Sequence, residues 1–310
     1  MALLFASSYG DPEVWGAMLR RHMPDLDLRV WPDTGAVEDI EAALVWRPKR
    51  GEMRRFPNLK FICSLGMGVD HIFRDPDLPE GVPICRVVDP DLIARMSEYI
   101  VLEVLRRHRR ADEYDRLQGE HVWRRTTRSP VTGETRVGFL GLGEIGRDAA
   151  EYLVRFGFDV AGWSRSKKDL AGIESFHGKA GLGPLLARSN ILICLLPLTP
   201  ATEGIIDAGL LAGLPEGAYV INVARGGHVV DADLIAALDS GRLAGATLDV
   251  FHTEPLPADH PFWAHKKIRV TPHNAGHPNP DNAAGQVIEN LRRVRKGLDV
   301  LNRVDPKAGY

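Results

Sequence analysis

The chain has 310 residues, 44% of them hydrophobic, which is more than one compact core normally serves, so two domains are expected. The formal net charge of −2 excludes the global positive field that draws proteins to nucleic acid or to anionic membranes. The N-terminal run MALLFASS is too short and too uncharged for a signal peptide, and no apolar run approaches the ~20 residues of a membrane span. Three cysteines, each inside an apolar run, indicate buried free thiols. A soluble, cytoplasmic protein is therefore expected.

Strand-like and helix-like segments alternate along the first part of the chain. A helix is predicted around residues 12–22, and a long helix, with apolar residues at helical spacing, from about residue 90 to residue 110. The predicted strands here are ALLFASS, LDLRVWP, AALVW, LKFICSL and VPICRV. Alternation of this kind predicts α/β architecture with a parallel sheet, because each parallel strand needs a crossover.

From residue 136 the strands become short and fully apolar. They are RVGFLG, FDVAGW, NILICLLP, AYVINVA, GATLDVF and KIRVTPH. Runs that are apolar on both faces are typical of a parallel sheet covered by helices on both sides. After Pro280, the segment AAGQVIENLRRVRKGL predicts a final amphipathic helix. This helix is expected to return to the first domain and to make that domain discontinuous.

The run GLGEIG follows the strand RVGFL and opens a helix-like segment. In a dinucleotide-binding turn Gly141 permits the tight bend, Gly143 lets the backbone approach a pyrophosphate, and Gly146 lets the helix pack on the strand. The helix N-terminus then offers free N–H groups to the phosphates. An ordinary strand-to-helix turn also uses glycines, but the order of strand, loop, helix and second strand favours a cofactor site.

The next strand end, WSRSKK, lacks the acidic residue with which a dinucleotide-binding unit usually binds the adenine ribose. An acid would repel a 2′-phosphate, whereas Arg165, with Ser164, Ser166 and Lys167, offers donors to that phosphate. Asp169 is a displaced acid beyond two lysines and is expected to lie too far away. The sequence predicts NADPH as the preferred cofactor, with NADH as the alternative.

Ligands of open parallel sheets bind beyond the carboxyl ends of the strands, and the later strand ends here carry Arg225, Glu254 and His273. This set suits reduction of a 2-keto acid. The guanidinium binds a carboxylate, and the histidine delivers a proton to the developing alkoxide. Glu254, bonded to the far ring nitrogen, fixes the tautomer and favours the imidazolium. Alternatively, Arg225 only ends a strand, Glu254 lies on a solvated loop and His273 is an ordinary turn residue. All three of these explanations together are less economical than one shared site.

The segments GLGEIG, NVARG, DVFHTEPLP and TPHNAG together resemble the D-isomer-specific 2-hydroxyacid dehydrogenases, over nearly the whole chain. The chain length and the segments ALVWRP, SLGMGVDHI and MSEYIVLEVLRRHRR look most like the glyoxylate/hydroxypyruvate reductase A branch. The resemblance implies that Arg225 is the substrate-binding catalytic arginine, His273 the acid/base and Glu254 its partner. It implies reduction of glyoxylate to glycolate and of hydroxypyruvate to D-glycerate.

The resemblance also extends the site. Asp249 would meet the nicotinamide carboxamide, and the loop SLGMGVDHI would hold the substrate carboxylate on backbone N–H groups. The long helix around Met96 matches a dimerisation region, which implies a homodimer. Many members follow the histidine with a Gly-Ser-Ala-Thr-like run, whereas this chain has NAGHP. The residues predicted to bind the cofactor are Gly141, Leu142, Gly143, Glu144, Ile145, Gly146, Ser164, Arg165, Ser166, Leu196, Pro197, Thr202, Val223, Ala224, Asp249 and Gly276. The residues predicted to bind the substrate are Trp46, Arg47, Met67, Gly68, Val69 and Arg225.

The predicted fold is α/β, with two doubly wound parallel-sheet domains. Residues 1–100 and 278–310 are expected to form a flavodoxin-like substrate domain, and residues 101–277 a Rossmann dinucleotide-binding domain. Two alternative functions stay open. One is a dehydrogenase of another D-2-hydroxy acid, of the phenylpyruvate type or branched. The other, from a different class, is a dinucleotide-sensing protein resembling the transcriptional corepressors that share this fold.

Three further features allow more than one interpretation. The arginines of residues 106–110, with Arg124, Arg125 and Arg128, suggest either a nucleic-acid patch or a solvated helix end balanced by nearby acids, and the second is favoured. Trp123 is either a core or interface aromatic, or a residue that reaches a neighbouring subunit's active site. His273 and His277 have the spacing of a metal pair, but Pro278 follows and no third ligand is near, so no metal site is predicted.

Overall fold

The computed structural model describes residues 2–125, 130–306 and 309. The chain divides into two compact units, one formed by residues 1–92 and 277–310 and the other by residues 93–276. The helices in the described ranges are α1 (Pro12–His22), α2 (Asp70–Phe73), α3 (Pro90–His108), α4 (Ala111–Gly119), α5 (Glu144–Arg155), α6 (Gly178–Arg188), α7 (Ala208–Ala212), α8 (Asp231–Asp239) and α9 (Pro280–Arg295). The strands are β1 (Ala2–Ser7), β2 (Asp27–Val30), β3 (Ile40–Trp46), β4 (Phe61–Ser64), β5 (Ile84–Arg86), β6 (Arg136–Leu140), β7 (Asp159–Ser164), β8 (Ile173–His177), β9 (Ile191–Cys194), β10 (Ala218–Asn222), β11 (Leu243–Leu248) and β12 (Ile268–Val270).

In the first unit, parallel strands form a sheet in the order β2-β1-β3-β4-β5. This order is flavodoxin-like, and it confirms the predicted fold class. Successive residues of β1 point to opposite faces. Leu3 and Phe5 pack in one cluster with residues of α1 and α9, while Leu4 packs in another with Met53 and Ile72. Because both faces are covered, the strands are apolar throughout.

Helix α9 packs in the first unit, against α1. Its start is fixed by Asn279, whose side chain accepts a hydrogen bond from the Asp281 amide, and by Pro280 in the first turn. Val287 and Leu291 are fully buried in the cluster that α9 shares with α1. Burial of each such side chain stabilises the fold by about 1.5–3 kcal/mol. The last part of the chain therefore belongs to the core of the unit that the first part forms.

In the second unit, parallel strands form a sheet in the order β12-β11-β10-β9-β6-β7-β8. This is the Rossmann order. Strands β7 and β8 lie on one side of β6, and the next strand along the chain, β9, lies on its other side. The strand β8 was not among the predicted ones. Its sequence IESFH lies at the edge of the sheet, where Glu174 is exposed, so it lacks the fully apolar run of the other strands.

The long helix predicted from residue 90 to residue 110 is two helices in the structure. Helix α3 ends at His108, and α4 starts at Ala111. Between them Arg110 has φ of +57°, a left-handed conformation that cannot continue a right-handed helix. Helix α3 contains the boundary between the two units, which lies between residues 92 and 93. It also contains the predicted boundary, between residues 100 and 101.

Candidate active site

The loops that follow β6, β7, β9, β10, β11 and β12 leave the sheet at one edge, because neighbouring strands are parallel. We call this the carboxyl edge. Ligands of such sheets bind there, at the point where the strand order reverses. The structure brings the predicted catalytic residues and the predicted cofactor residues of the second unit to this edge.

The glycine loop between β6 and α5 has the geometry that its sequence predicts. Gly141 has φ of +106°, and a Cβ there would lie 3.0 Å from the Leu195 carbonyl oxygen. A Cβ on Gly146 would lie 2.1 Å from the Gly141 carbonyl oxygen, so only glycine lets α5 start this close to β6. Gly143 is the N-cap of α5, and a Cβ on it would meet nothing within 4 Å. The loop therefore fits close approach of a pyrophosphate to the N-terminus of α5.

The non-glycine residues of the GLGEIG run are Leu142, Glu144 and Ile145, and they differ in how far each is buried. Leu142 is buried against β7, where a Cβ on Gly162 would lie 2.5 Å from the leucine Cγ. Glu144 forms an ion pair with Arg147 at 3.2 Å, with both side chains about half exposed, and such pairs contribute little stability. Ile145 is half-buried. The first turn of α5 thus carries an ion pair at its surface, while Leu142 anchors the loop in the core.

The loop after β7 carries the basic residues that were predicted to select the cofactor. Ser164 Oγ donates to the Ser166 carbonyl oxygen at 2.7 Å, which closes a tight turn around Arg165. Arg165 and Ser166 are exposed. Asp169 is also exposed, and it lies five residues beyond the end of β7. The turn therefore puts an exposed arginine directly after the strand, while Asp169 follows four residues later.

The loop after β9 is tied together by its own side chains. The Thr202 hydroxyl donates to the Pro197 carbonyl oxygen at 2.6 Å and accepts from the Thr199 amide at 2.9 Å. Leu196 is 8% exposed and anchors the start of the loop in the core. The geometry gives Thr202 a structural role in shaping this part of the carboxyl edge.

Arg225 follows β10 and is half-buried. Its carbonyl oxygen accepts from Asn222 Nδ2 at 2.9 Å and lies 3.1 Å from Nδ1 of the fully buried His228. Val223 and Ala224, just before it, are buried. These contacts fix the backbone that carries the guanidinium.

Gly226 brings the loop after β10 against the loop after β11. A Cβ on Gly226 would lie 2.0 Å from the Phe251 carbonyl carbon and 2.3 Å from the His252 amide nitrogen. Real Cβ atoms do not approach backbone this closely, so a side chain here would force the two loops apart. The absence of a side chain therefore sets the spacing between the segment of Arg225 and the segment of Glu254.

Glu254 and His273 form a hydrogen-bonded pair, with His273 Nδ1 3.0 Å from Glu254 Oε2. An ionised carboxylate only accepts, so Nδ1 carries a proton and Nε2 is left for another partner. Glu254 Oε1 accepts from the Phe251 amide at 3.0 Å, which orients the carboxylate. The side chain of His273 is 33% exposed and that of Glu254 is 16% exposed. The pair thus combines a partly exposed imidazole with a more shielded carboxylate, which suits acid/base chemistry.

Asp249 holds the turn that carries His273. The His273 backbone has φ of +56°, a conformation that costs a non-glycine residue about 1–3 kcal/mol. The His273 amide donates to the Asp249 carbonyl oxygen at 2.8 Å, and the carboxylate accepts from the amides of Asn274 at 2.8 Å and Ala275 at 2.9 Å. Burial raises the pKa of Asp249, which is 1% exposed, and these hydrogen bonds act in the opposite direction. The contact of Asp249 and Gly276 with a nicotinamide stays a prediction.

Helix α3 supports this turn. Thr271 Oγ1 donates to Asp249 Oδ1 at 2.6 Å and lies 2.6 Å from the Tyr99 hydroxyl, so Tyr99 is the donor of that second bond. Burial raises the pKa of Tyr99, which keeps the phenol protonated. One turn along α3, the buried Glu103 accepts from Arg269 Nε at 3.1 Å. A polar stripe on α3 therefore reaches the end of β12 and the His273 turn.

Apart from Arg225, the residues predicted to bind substrate lie in the first unit, at the end of β3 and in the loops after β3 and β4. Trp46 is the last residue of β3, and Arg47 follows with φ of +51°. Residues 67–69 form the loop between β4 and α2. His71 lies between these segments: its ring centroid is 4.3 Å from that of Trp46, and its Nδ1 accepts from the Arg47 amide at 3.2 Å. The structure therefore places Trp46 and the Arg47 amide against His71, and connects the Gly68 carbonyl to the same ring through Ser64.

Sequence reasoning missed several residues that shape the site, namely Asn222, His228, Thr271, Tyr99 and His71. Asn222 gave the clearest signal, because it is a polar residue at the end of an otherwise apolar strand. Tyr99 gave none, since a tyrosine on an amphipathic helix usually belongs to the core.

Two further predictions concern the arginine-rich segment that begins at residue 106 and Trp123. Arg106 pairs with Asp112 at 2.7 Å and with Asp115 at 2.9 Å, which favours a solvated helix end over a nucleic-acid patch. Arg128 lies outside the described residues. Trp123 is 92% exposed, which excludes the core alternative and leaves an interface or a neighbouring subunit's site as the two alternatives.

Across residues 2–125, 130–306 and 309, no group of three or more His, Cys, Asp and Glu side chains is placed to hold a metal ion. Within the same ranges, the helices are all too short or too polar to cross a membrane. The three cysteines are buried free thiols.

Comparison with known proteins agrees with this geometry. A family model for the D-isomer specific 2-hydroxyacid dehydrogenase, NAD binding domain, matches residues 101–275. The chain belongs to this family. The matched range contains the glycine loop and the residues Arg225, Glu254 and His273. The second unit is therefore the NAD binding domain of a D-isomer specific 2-hydroxyacid dehydrogenase.

Relatives in this family are similar to the protein over its full length. The glyoxylate/hydroxypyruvate reductase A of Photorhabdus laumondii is 40% identical, with 100% of both chains covered. A D-isomer specific 2-hydroxyacid dehydrogenase of Xanthobacter autotrophicus Py2, solved in complex with NADPH and MES, is 46% identical, with a TM-score of 0.95 and coverage of 100% of this chain and 99% of that one. An NADPH-dependent glyoxylate/hydroxypyruvate reductase of Sinorhizobium meliloti, in complex with NADP and sulfate, is 37% identical, with a TM-score of 0.92 and full coverage of both chains.

Proposed function

We propose that this protein is an NADPH-dependent reductase of small 2-keto acids, converting glyoxylate to glycolate and hydroxypyruvate to D-glycerate. The observation that carries the proposal is the pair of Glu254 and His273, 3.0 Å apart at the carboxyl edge, with the Arg225 loop packed against the Glu254 loop through Gly226. The substrate assignment is supported by relatives at about 40% identity that are named glyoxylate/hydroxypyruvate reductase A.

Each of the three residues has one task in the reduction. Arg225 binds the substrate carboxylate and polarises the neighbouring carbonyl through its planar guanidinium. His273 gives the proton on Nε2 to the carbonyl oxygen as negative charge develops there. Glu254 accepts from Nδ1–H throughout, which keeps the ring oriented and stabilises its charged form before the proton leaves.

The glycine loop fits a dinucleotide, because the space beside Gly143 is open and Gly146 lets α5 begin against β6. Gly141 to Gly146 would hold the pyrophosphate, and the loops after β7, β9 and β10 would hold the rest. When bound, NADPH supplies the hydride. Arg165, in the exposed turn after β7, would bind the 2′-phosphate that distinguishes NADPH from NADH. Two similar structures, from Xanthobacter autotrophicus and Sinorhizobium meliloti, were solved with NADPH or NADP.

The experiment that tests this function follows the loss of NADPH and NADH absorbance with glyoxylate, hydroxypyruvate and phenylpyruvate. We expect turnover of the first two with NADPH. Preference for phenylpyruvate would instead identify the protein as a dehydrogenase of another D-2-hydroxy acid. If none of the three keto acids is reduced, the proposed enzymatic function is contradicted, and a dinucleotide-sensing protein is favoured instead.

The Arg165→Ala variant tests cofactor choice. We expect the KM for NADPH to rise about tenfold, because a charge-assisted contact to phosphate is lost, while the KM for NADH changes little. A matched control is Arg155→Ala, because Arg155 lies at the C-terminal end of α5, away from the glycine loop at its N-terminus. An unchanged KM for NADPH in the Arg165 variant would contradict the assignment.

We also propose that the protein is a cytoplasmic homodimer. The buried free thiols suit a reducing compartment. Trp123, at 92% exposure, is an apolar residue that a second copy of the chain would cover. Light scattering coupled to size-exclusion chromatography measures the mass, and a monomer at micromolar concentration would contradict the dimer.

A further inference from the structure

His71 joins two segments of the first unit. Its side chain is buried, with 7% of the residue exposed. Nε2 lies 3.1 Å from Ser64 Oγ at the end of β4, and Nδ1 lies 3.2 Å from the Arg47 amide nitrogen after β3. The ring therefore bridges the ends of two neighbouring strands of one sheet.

The direction of each hydrogen bond at this ring is determined by chemistry. The Gly68 carbonyl oxygen only accepts, so the Ser64 hydroxyl gives it its single proton, at 2.7 Å. Ser64 Oγ must then accept from His71 Nε2–H. At the other end the Arg47 amide donates, so Nδ1 carries no proton. The Ser64 end thus requires a proton on Nε2, and the Arg47 end requires a bare Nδ1, so together they require a neutral ring with its proton on Nε2.

We propose that His71 is a positioning residue for the substrate. As a neutral imidazole it fixes the Gly68 carbonyl, through Ser64, and the Arg47 amide in one arrangement. The proposal rests on the proposed function and on the sequence prediction that Arg47 and residues 67–69 bind the 2-keto acid. The bond to the Arg47 amide also holds that residue in its left-handed conformation, at φ of +51°. Loss of the ring nitrogens should therefore loosen substrate binding without touching the acid/base pair.

The first test reads the tautomer in the wild-type protein. Nitrogen-15 spectra of the histidine rings, assigned through the backbone, distinguish a bare ring nitrogen from a protonated one. We expect His71 to show a bare Nδ1 and a protonated Nε2 near pH 7.5. The opposite tautomer, or a doubly protonated ring, would overturn the proposal whatever the enzyme's substrate is.

The second test separates binding from chemistry. His71→Phe keeps a ring beside Trp46 but removes both nitrogens. We expect the KM for glyoxylate to rise about tenfold with kcat changed less than about twofold, since a binding contact rather than a transition-state contact is lost. His71→Asn, whose side-chain oxygen can accept from the Arg47 amide, should recover part of the KM. His22→Phe, an exposed histidine on α1, is the matched control.

Two further readouts keep this proposal distinct from the proposed function. Amide hydrogen exchange at Arg47 should accelerate in His71→Phe and stay slow in His22→Phe, with or without any turnover. A wild-type protein that reduces no keto acid would contradict the function alone. A KM and an Arg47 exchange rate that both match the control would contradict the role of His71, even in an active enzyme.

Discussion

Two histidines, one in each unit, use the same ring atom in opposite ways. Nδ1 of His273 donates to the Glu254 carboxylate, whereas Nδ1 of His71 accepts from the Arg47 backbone amide. A carboxylate partner favours the charged ring, and an amide donor excludes it. The partner of Nδ1 therefore separates a histidine that can exchange a proton from one that can only hold its neighbours in place.

The largest expected effect comes from removing the histidine that exchanges the proton. His273→Ala should lower kcat for glyoxylate by at least ~10²-fold, because a positioned general acid typically contributes 10²–10⁴-fold. His71→Phe should instead change KM. Steady-state kinetics measure both, and thermal unfolding serves as the control for folding. A kcat near the wild-type value in His273→Ala would show that another group is the acid.

A smaller effect comes from changing the partner of His273 Nδ1. Glu254→Gln keeps the size of the side chain but removes its charge, so the hydrogen bond that orients the His273 ring is weakened. We expect kcat for glyoxylate to fall about tenfold with little change in KM, because the ring is held less firmly in its orientation as general acid. Steady-state kinetics at about pH 7.5 measure both constants. A kcat equal to that of the wild type would remove Glu254 from the mechanism.

The support from α3 should matter less than either member of the pair. Tyr99→Phe removes the hydroxyl that donates to Thr271, and with it one hydrogen bond worth about 0.5–1.5 kcal/mol. We expect kcat to fall about threefold with little change in KM, because the His273 turn is held less firmly. Tyr152→Phe, an exposed tyrosine on α5, is the matched control. Equal kcat in both variants would limit Tyr99 to a packing role.

The smallest expected effect concerns stability. Burial raises the pKa of Asp249, so the folded protein binds this proton more tightly than the unfolded chain does. Its contribution to stability is fully present below the unfolded pKa, about 4, and is lost as the pH rises through the folded pKa. Relative to Asp249→Asn, the wild type should therefore lose stability as the pH rises above about 4. Urea unfolding at several pH values measures this, and a difference that is independent of pH would contradict it.

The position of Arg225 and His273 at the carboxyl edge could be predicted from the sequence, because the ends of fully apolar strands are easy to find. Arg225 and His273 follow fully apolar runs, and parallel strands deliver such residues to one edge. The sequence also predicted both sheets, since their strands are apolar on both faces. It failed at β8, where the strand IESFH is of mixed polarity, and at Arg110, where one left-handed residue divides a continuous apolar pattern into two helices.

Residues that act through backbone groups were not predictable in the same way. His71 bonds the amide of a residue 24 positions away and a serine 7 positions away, and no spacing rule connects the three. Asp249 was predicted as a ligand of the nicotinamide, but its contacts with the amides of residues 274 and 275 depend on the left-handed turn at His273. Periodicity describes which face is buried, and it carries no information about which amide a side chain reaches.

Gly226 has a consequence for anyone who redesigns this enzyme. The Arg225 and Glu254 loops can pack this closely because Gly226 has only a hydrogen atom where every other residue has a Cβ. A Cβ at this position would lie 2.0 Å from the Phe251 carbonyl carbon. A library that randomises residues 225–228 to accept larger keto acids would lose most of its members at this position before any of them met a substrate. Holding Gly226 constant, and varying the side chains on either side of it, keeps the search among sequences in which the two loops can still meet.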